Sequence, residues 1–202
     1  PWLYVHISSA EVYGHCCGPV DEEQPPRPTT VYAASKAAAD AFLLALSRHD
    51  GFPVIIIRST NVYGRYQQLY KIIPRAVIRL TKGKKVELYE GGRFVRPFIH
   101  IRDACRGVLL AIQHGKPGSV YHFSTVSCSV AEAVHTICQR MGRDFAEWTV
   151  SAQERTGHDL AYLLDWSRTA IELDWRPQIA FEEGVDDVRA WIGENWGEME
   201  KI

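Results

Sequence analysis

The sequence predicts an α/β fold built around a parallel β-sheet. Two short apolar runs, "WLYVHI" and "PVIIIR", have the composition and length of buried strands. Segments with helical periodicity alternate with strands along the chain, which is typical of parallel α/β sheets. With 202 residues, 46% of them hydrophobic and 23% charged, the chain is long enough to bury a substantial apolar core.

The first part of the chain predicts a strand, a loop, a helix and a second strand. "WLYVHI" leads into "SSAEVYG", and the proline-rich segment "HCCGPVDEEQPPRPTT" that follows predicts a loop. A helix is predicted from about Ala33 to His49, with Asp50-Gly51 as its stop. "PVIIIR" is the second strand, and "STNVYGRYQQ" predicts a loop because it contains turn-forming residues.

The rest of the chain continues the alternation. "KIIPRAVIRLTKG" predicts a helix with Pro74 in its first turn, and "KVELYEGGRFVRPFIHI" predicts two strands around a Gly91-Gly92 turn. "RDACRGVLLAIQHG" predicts a helix, "SVYHFS" a strand, and "SVAEAVHTICQRMG" a helix capped by Ser129. "WSRTAIELDW" and "FEEGVDDVRAWIGENW" predict amphipathic helices near the end.

Composition argues against several classes of partner. A net charge of −1 and an isoelectric point near 6.8 indicate no nucleic-acid partner. No apolar run approaches the roughly 20 residues of a membrane span, and no signal peptide is visible. Five cysteines without a CxxC pair favour free thiols and a cytoplasmic location. The eight histidines form no HxxxH or His/Cys cluster, so we predict no metal site.

The sequence contains no glycine-rich nucleotide-binding motif. A dinucleotide-binding α/β domain normally begins with a strand, a glycine-rich turn and a helix, because the glycines let the backbone approach the pyrophosphate. Neither GxGxxG nor GxxGxxG occurs in the chain. We therefore expect the later half of a Rossmann-like sheet, without the N-terminal glycine-rich half, together with a smaller α/β substrate-binding domain.

A tyrosine and a lysine open the first predicted helix. Tyr32 and Lys36 are four residues apart, so both side chains lie on one face of the helix. A phenol has a pKa of about 10, and a nearby ammonium group favours the phenolate, which can act as a base. Upstream, Ser9 and Glu11 follow a buried strand, at the edge where open α/β sheets bind ligands. Taken alone, the Tyr-x-x-x-Lys spacing also fits a helix-start tyrosine followed by a solvated lysine.

Five segments carry a family resemblance. "SSAEVYG", "YAASK", "RSTNVYG", "VRPFIHIRD" and "ERTGHDLAYLLD" occur in the order and spacing of the extended short-chain dehydrogenases/reductases. Within that family the chain most resembles the nucleotide-sugar 4,6-dehydratases, over essentially its whole length. The resemblance implies an NAD-dependent enzyme that acts on a nucleoside-diphosphate sugar, and we expect a homodimer. Residues 1–60 would belong to the NAD-binding domain, and residues 61–202 to a substrate-binding region interwoven with the last sheet strands, at about 119–124.

The resemblance also implies roles for individual residues. Tyr32 would deprotonate a sugar hydroxyl while hydride passes to NAD⁺, and Lys36 would hold the ribose and lower the pKa of the tyrosine. Ser9 would hydrogen-bond the same sugar oxygen, and Glu11 would remove the proton next to the new ketone. Tyr32, Lys36 and Ser59 form the expected cofactor-binding set. The expected substrate-binding residues are Asn61, Lys71, Ile72, Arg96, Arg155 and His158.

Three of these substrate assignments have plain structural alternatives. Asn61 also fits an ordinary turn residue, Arg96 a charge at an exposed sheet edge, and His158 a turn cap.

Ala10 departs from the dehydratase pattern and leaves the reaction open. Dehydratases of this type usually carry Thr-Asp-Glu, in which the aspartate protonates the departing hydroxyl, whereas this chain has Ser9-Ala10-Glu11. Serine followed by alanine resembles the 4-epimerases, and Thr-Ser-Glu occurs at this place in UDP-glucuronate decarboxylases. The "RTGHD" segment favours a dehydratase. An epimerase, a decarboxylase, and an inactive relative that only binds are the alternatives.

Overall fold

The chain divides into two compact units. The computed structural model describes residues 2–125, 127–153 and 161–199. The first unit consists of the described residues within 1–62, 96–127 and 157–178, and the second of those within 63–95, 128–156 and 179–202. The chain therefore passes between the units several times. The division into a cofactor-binding part, 1–60, and a substrate-binding part, 61–202, stays a prediction.

The described residues form eight strands, eight α-helices and two 3₁₀ turns. The strands are β1 (Tyr4–Ile7), β2 (Val54–Ser59), β3 (Asn61–Tyr63), β4 (Val86–Tyr89), β5 (Val95–His100), β6 (Val120–Phe123), β7 (Ser127–Ser129) and β8 (Thr149–Ala152). The helices are α1 (Val31–Asp50), α2 (Ile72–Thr81), α3 (Ile101–His114), α4 (Val130–Arg140), α5 (Phe145–Trp148), α6 (Ser167–Leu173), α7 (Phe181–Glu194) and α8 (Trp196–Met199). The 3₁₀ turns are Ala10–Tyr13 and Glu90–Gly92.

The first unit contains a parallel sheet in the order β1-β2-β6, which confirms the predicted fold class. The central strand β2 is buried from Val54 to Arg58. In contrast to the prediction, β1 is not a buried strand, since Tyr4 and Ile7 are about half exposed. Among the described strands, β1 pairs with β2 alone.

Strand β2 has an apolar face on each side of the sheet. Val54 and Ile56 pack in a cluster that Leu43 and Leu44 of α1 cover. Ile55 and Ile57 belong to the larger cluster on the opposite face, which also contains Phe123, Leu173 and Trp175. Because successive side chains of a strand point to opposite faces, an unbroken apolar run is what a strand with helices on both sides requires.

Helix α1 starts two residues earlier than predicted. Thr30 is the N-cap, and its hydroxyl accepts a hydrogen bond from the amide of Ala33 at 3.1 Å. The helix ends at Gly51, which has the left-handed conformation with φ +66°, where glycine has no steric cost. This N-terminal boundary places Tyr32 in the first turn of the helix and Lys36 one turn later.

The second unit contains the parallel pair β4-β8 and the packed helices α2, α4 and α7. Pro74 lies in the first turn of α2, as predicted. The strands on either side of Gly91-Gly92 do not form a hairpin, because β4 pairs with β8 while β5 lies in a separate sheet, β3-β5-β7. Strand β3 lies in the segment 59–68, which was predicted to be a loop. Strands β7 and β8 and helix α5, which are three or four residues long, were not predicted either.

Two glycines of α7 should respond oppositely to alanine. A Cβ on Gly184 would overlap the hydroxyl of Tyr63, whereas a Cβ on Gly193 would meet nothing within 4 Å. We expect Gly184→Ala to lower the free energy of unfolding by about 1–3 kcal/mol through overpacking. The matched Gly193→Ala should raise it by up to about 1 kcal/mol, since alanine is the better helix former. Urea unfolding of both variants measures the difference, and equal effects would contradict the packing of Tyr63 on α7.

Several features are missing from the described part of the chain. None of its helices is both long enough and apolar enough to cross a membrane. Among the same residues, no group of three or more His, Cys, Asp or Glu side chains is arranged to bind a metal ion. The five cysteines all lie in described segments and form no disulfide.

Candidate active site

Hydroxyl and carboxyl side chains follow the strands of the first sheet at one edge. Parallel pairing aligns Ile7 with Ile57, and Ser59 with Phe123, so the carboxyl ends of all three strands lie at the same edge. Ser9 caps the 3₁₀ turn that follows β1, and its Oγ accepts a hydrogen bond from the amide of Glu11 at 3.2 Å. Ser9 and Ser59 therefore lie at the ends of adjacent strands, and Glu11 lies in the turn directly after Ser9.

Helix α1 packs beside this edge. The Nζ atom of Lys36 donates a hydrogen bond to the carbonyl oxygen of Ile7 at 2.8 Å, two residues before Ser9. The neighbouring Ala37 packs against the cluster that contains Ala10 and Val12 of the 3₁₀ turn. An ammonium group has three N–H donors, so two of them remain for other partners. The four predicted catalytic residues thus lie on two elements in contact, α1 and the turn after β1.

Tyr32 is accessible at the start of α1. Its side chain is 51% exposed, and its carbonyl oxygen accepts a hydrogen bond from the Ser35 hydroxyl at 2.8 Å. Tyr32 is therefore not part of the apolar core, and about half of the residue is accessible to a ligand.

Two of the predicted substrate-binding residues meet around Tyr162. The Tyr162 hydroxyl donates to Asn61 Oδ1 at 2.8 Å, and the Arg96 guanidinium lies 4.6 Å from the centre of the Tyr162 ring. Asn61 Nδ2 also donates to the Pro97 carbonyl at 3.3 Å, so the orientation of its amide is defined from both sides. Tyr162 was not among the predicted site residues, although it lies in the "AYLLD" part of the last motif.

The other predicted substrate-binding residues either belong to the second unit or lie outside the described residues. Lys71 is the exposed N-cap of α2 in the second unit, with Nζ 5.5 Å from the centre of the Tyr70 ring, and Ile72 is the first residue of that helix. Arg155 and His158 lie outside the described residues.

A buried polar network, which the motifs did not predict, joins α1, β2, β6 and the 3₁₀ turn after β1. Asp40 of α1 pairs with Arg58 of β2 at 2.9 Å, and Arg58 donates to the Tyr13 hydroxyl at 2.5 Å. The Tyr13 hydroxyl lies 2.7 Å from Nε2 of His122, whose Nδ1 lies 2.9 Å from the Asp165 carbonyl oxygen. Because a carbonyl can only accept, Nδ1 carries the proton and Nε2 accepts from Tyr13.

Burial holds the Tyr13 and His122 side chains in their neutral forms. Burial raises the pKa of Tyr13 to about 12, although the Arg58 guanidinium acts against this shift. Burial also lowers the pKa of His122 to about 4, so the imidazole is neutral at pH 7. Glu22, which lies near His122, has a pKa raised by burial. The buried Asp40–Arg58 ion pair therefore lies beside the neutral side chains of Tyr13 and His122.

Sequence patterns that could have revealed this network were present. Asp40 is four residues after Lys36 and so lies on the same face of α1. Arg58 directly follows four apolar strand residues, and a charge at the end of such a buried run requires a partner. Neither pattern shows that Asp40 and Arg58 pair with each other, because the two residues lie on separate elements.

A cavity of about 420 Å³ lies next to the network. Its lining includes Glu22, Ala37, Asp40, Arg58 and Arg168, and none of those predicted site residues that the structure describes. The cavity therefore adjoins the Asp40–Arg58 pair, and Ser9, Glu11 and Tyr32 do not line it.

The buried His122 should make the protein less stable in acid. An unfolded histidine has a pKa of about 6.5, so between about pH 6.5 and 4 the unfolded chain binds a proton at His122 that the folded chain does not. The stabilisation is complete above pH 6.5 and is lost as the pH falls to about 4. At about 1.4 kcal/mol for each pH unit, the loss is about 3 kcal/mol.

Urea unfolding between pH 7.5 and 4.5 measures this effect. The His122→Gln variant should lose less stability over the range than the parent protein. His114→Gln, which changes an exposed histidine at the end of α3, should follow the parent. Parallel curves for all three proteins would show that His122 is not buried in its neutral form.

The parallel sheet with helices on both faces, and the Tyr-x-x-x-Lys helix beside the carboxyl ends of its strands, define a Rossmann-type α/β protein of the dehydrogenase/reductase class. The chain belongs to the NAD dependent epimerase/dehydratase family, whose model matches residues 1–123. This confirms the family that the motifs predicted.

Comparison with individual proteins shows which members of this family the chain resembles. The chain is 36% identical over 197 residues to a dTDP-glucose 4,6-dehydratase of Actinoplanes sp., covering 95% of this chain and 60% of that protein. It resembles the crystal structure of a double mutant of the dTDP-glucose 4,6-dehydratase DesIV of Streptomyces venezuelae with NAD bound. The TM-score is 0.91 at 36% identity, over 98% of this chain and 62% of that one.

A third match is the dTDP-glucose 4,6-dehydratase of Bacillus anthracis in complex with NAD, with a TM-score of 0.92 at 32% identity. It covers 96% of this chain and 63% of that one. The chain thus spans about three fifths of the length of these relatives.

Proposed function

We propose that this chain carries the catalytic and substrate-binding parts of an NAD-dependent nucleotide-sugar dehydratase. The reaction is oxidation at C4 of a nucleoside-diphosphate hexose, proton abstraction at C5 and loss of water, after which the hydride returns to C6, so that the net change is the loss of one water. The observation that carries the proposal is the Lys36–Ile7 hydrogen bond, which sets the Tyr-x-x-x-Lys helix beside Ser9 and Glu11. The names of the relatives support dTDP-glucose as the first substrate to test.

In the proposed mechanism, α1 carries the base for the oxidation, and the turn after β1 carries the base for the proton abstraction. Tyr32 removes the proton of the C4 hydroxyl as general base, and Lys36, one helical turn later, holds the ribose of the cofactor. Ser9 donates a hydrogen bond to the same sugar oxygen. Once C4 is a ketone, the neighbouring C5–H is acidified, and the Glu11 carboxylate takes that proton.

The residues at this edge fit an NAD cofactor. When bound, NAD⁺ supplies the acceptor for the hydride that leaves C4. Lys36 keeps two free N–H donors for ribose hydroxyls after its bond to Ile7, and Tyr32 is open to a ligand. Ser59 ends the neighbouring strand at the same edge and supplies a further hydroxyl.

A second group of residues would hold the nucleoside diphosphate. Arg96 has a planar guanidinium suited to phosphate. The ring of Tyr162 packs against this guanidinium, and the Tyr162 hydroxyl orients the Asn61 amide. Lys71, Ile72, Arg155 and His158 remain predicted substrate-binding residues.

Ala10 favours two alternative functions. An epimerase or a UDP-glucuronate-type decarboxylase needs no carboxylic acid at this position, because neither reaction protonates a leaving hydroxyl. A chain that binds a sugar nucleotide without turnover is the third possibility. The family description covers both epimerases and dehydratases, so membership of the family does not distinguish these functions. The products of the reaction have to be identified.

Product analysis by mass spectrometry separates these functions. The complete gene product is incubated with NAD⁺ and a panel of sugar nucleotides that includes dTDP-glucose, UDP-glucose and UDP-glucuronate. Loss of water supports the dehydratase, loss of carbon dioxide the decarboxylase, and a new isomer of unchanged mass the epimerase. Binding without any of these products supports a protein that only binds.

Helix α1 supports the predicted homodimer. Exposed residues recur along it at 31, 35, 38, 42, 45 and 49, in alternating steps of four and three. Val31 and Phe42 are the large apolar members of this stripe, at 91% and 64% exposure. Such spacing is typical of a helix that packs against another helix. The homodimer and the cytoplasmic location remain predictions.

A further inference from the structure

We propose that the buried Asp40–Arg58 ion pair is a positioning device for the active site. It holds the turn that carries Ser9 and Glu11 against the helix that carries Tyr32 and Lys36. This inference rests on the proposed function, because the benefit of the alignment is realised in that reaction. Neither residue touches the reacting atoms, since their side chains are 1% and 3% exposed.

The carboxylate of Asp40 joins three elements. Its Oδ2 accepts a hydrogen bond from the Ser8 hydroxyl and another from Arg58 Nε, both at 2.9 Å. Its Oδ1 lies 3.5 Å from Nε2 of His6. His6 and Ser8 are two residues apart, so they face the same side of the strand. One side chain of α1 thereby fixes the end of β1 and the end of β2 together.

The guanidinium of Arg58 holds the far side of the catalytic turn. It donates through Nη1 to the hydroxyl of Tyr13, the last residue of the 3₁₀ turn, and stacks 4.9 Å from the centre of its ring. Ser8 precedes Ser9 directly, and Tyr13 follows Glu11 by two residues. The segment that carries Ser9 and Glu11 is therefore anchored at both ends by the same ion pair.

The position of Asp40 on α1 links this anchor to the catalytic helix. Asp40 lies one turn after Lys36 on the same face, and Lys36 binds the carbonyl of Ile7, next to Ser8. Lys36 and Asp40, on two successive turns of α1, are thus hydrogen-bonded to the successive residues Ile7 and Ser8. Movement of α1 relative to the turn after β1 would have to break both contacts. The contacts therefore keep Tyr32 and Ser9 in a constant relative position.

A variant in which both members of the ion pair are replaced can separate an effect on the alignment of the site from an effect on stability. Breaking a buried ion pair by removing one partner leaves an uncompensated charge, whereas apolar residues of similar volume at both positions often preserve stability. The Asp40→Leu/Arg58→Met double variant therefore tests alignment in a folded protein. Its matched control is Asp186→Leu/Arg140→Met, which removes a more exposed Arg–Asp pair in the second unit.

Three measurements on the complete protein decide the question: steady-state kinetics with dTDP-glucose, urea unfolding, and hydrogen exchange of residues 7–14 by mass spectrometry. We expect the double variant to lose about 10- to 10²-fold in kcat, because a shift of about 1 Å can have that effect. KM should stay within about threefold, since the phosphate-binding residues are untouched. Exchange in residues 7–14 should become faster, and the control pair should change none of these.

Should the double variant not fold, Arg58→Lys replaces it. A lysine keeps the charge beside Asp40, but its single ammonium cannot reproduce the fork that reaches both Asp40 and Tyr13. We expect a smaller loss of kcat, about threefold or more, with the same faster exchange in residues 7–14.

Unchanged kcat in the folded variant overturns the inference, and so does unchanged exchange of residues 7–14. A parent protein that converts no sugar nucleotide contradicts the proposed function instead, and the exchange measurement still tests the anchoring.

Discussion

Replacing Tyr32 with phenylalanine should lower the rate of sugar oxidation by about 10²–10⁴-fold in the complete protein, the usual effect of losing a general base. The variant keeps the aromatic ring and loses only the hydroxyl, so binding of the nucleotide sugar should stay nearly unchanged. Single-turnover formation of NADH from NAD⁺ measures the oxidation step, and calorimetry measures binding. The control is Tyr4→Phe, which removes a partly exposed hydroxyl on β1 of the same unit.

The outcome separates a catalytic tyrosine from a structural one. A rate within a few-fold of the parent enzyme would show that Tyr32 only begins the helix. An equal loss of binding and rate would indicate a folding defect, which unfolding measurements would reveal. A specific loss of oxidation, with binding and stability retained, would establish the phenol as the base.

Replacing Ala10 with aspartate should accelerate the elimination of water by about 10²-fold, if a proton donor is the missing element. Ala10 is 0% exposed and packs with Val12, Tyr13 and Tyr162. A carboxyl group placed there is desolvated, which raises its pKa and keeps it protonated near neutral pH, as a general acid requires. The same burial should lower the free energy of unfolding by about 1–3 kcal/mol.

Ala10→Asn is the matched control, since it has nearly the same shape and cannot donate a carboxyl proton. Mass spectrometry of the products with dTDP-glucose follows the loss of water in the parent and both variants. If aspartate leaves the products unchanged and the parent never releases water, the dehydratase proposal is wrong, and the epimerase or decarboxylase takes its place.

The parent protein would need another proton donor in order to dehydrate its substrate. The loop after the catalytic turn offers His15, Cys16 and Cys17. Cys16 is buried and its thiol donates to the Gly14 carbonyl at 3.4 Å, whereas His15 and Cys17 are exposed. His15 and Cys17, together with a bound water, are therefore the better candidates. His15→Gln and Cys17→Ser, assayed beside the Ala10 variants, identify the donor by which of them stops the release of water.

Much of the fold could be predicted because its signals are local. Helix α1 has its cap at Thr30 and its stop at Gly51, and β2 is an apolar run that only a strand covered on both faces can bury. The pairing of Tyr32 with Lys36 on one helix face follows from the helical repeat alone. Strands β3, β7 and β8 were missed because three or four residues are too few to show a period.

The sequence by itself determined the fold class, the family and the order in which the proposed catalytic residues occur. Only the tertiary structure decided which distant side chains meet. Arg58 reaches Asp40 across 18 residues of sequence, Tyr162 reaches Asn61 across 101, and Tyr13 reaches His122 across 109. These contacts depend on the order and register of the strands and on which helix covers each face. Local spacing carries no information about either, because hydrogen bonds between elements are set by packing in three dimensions.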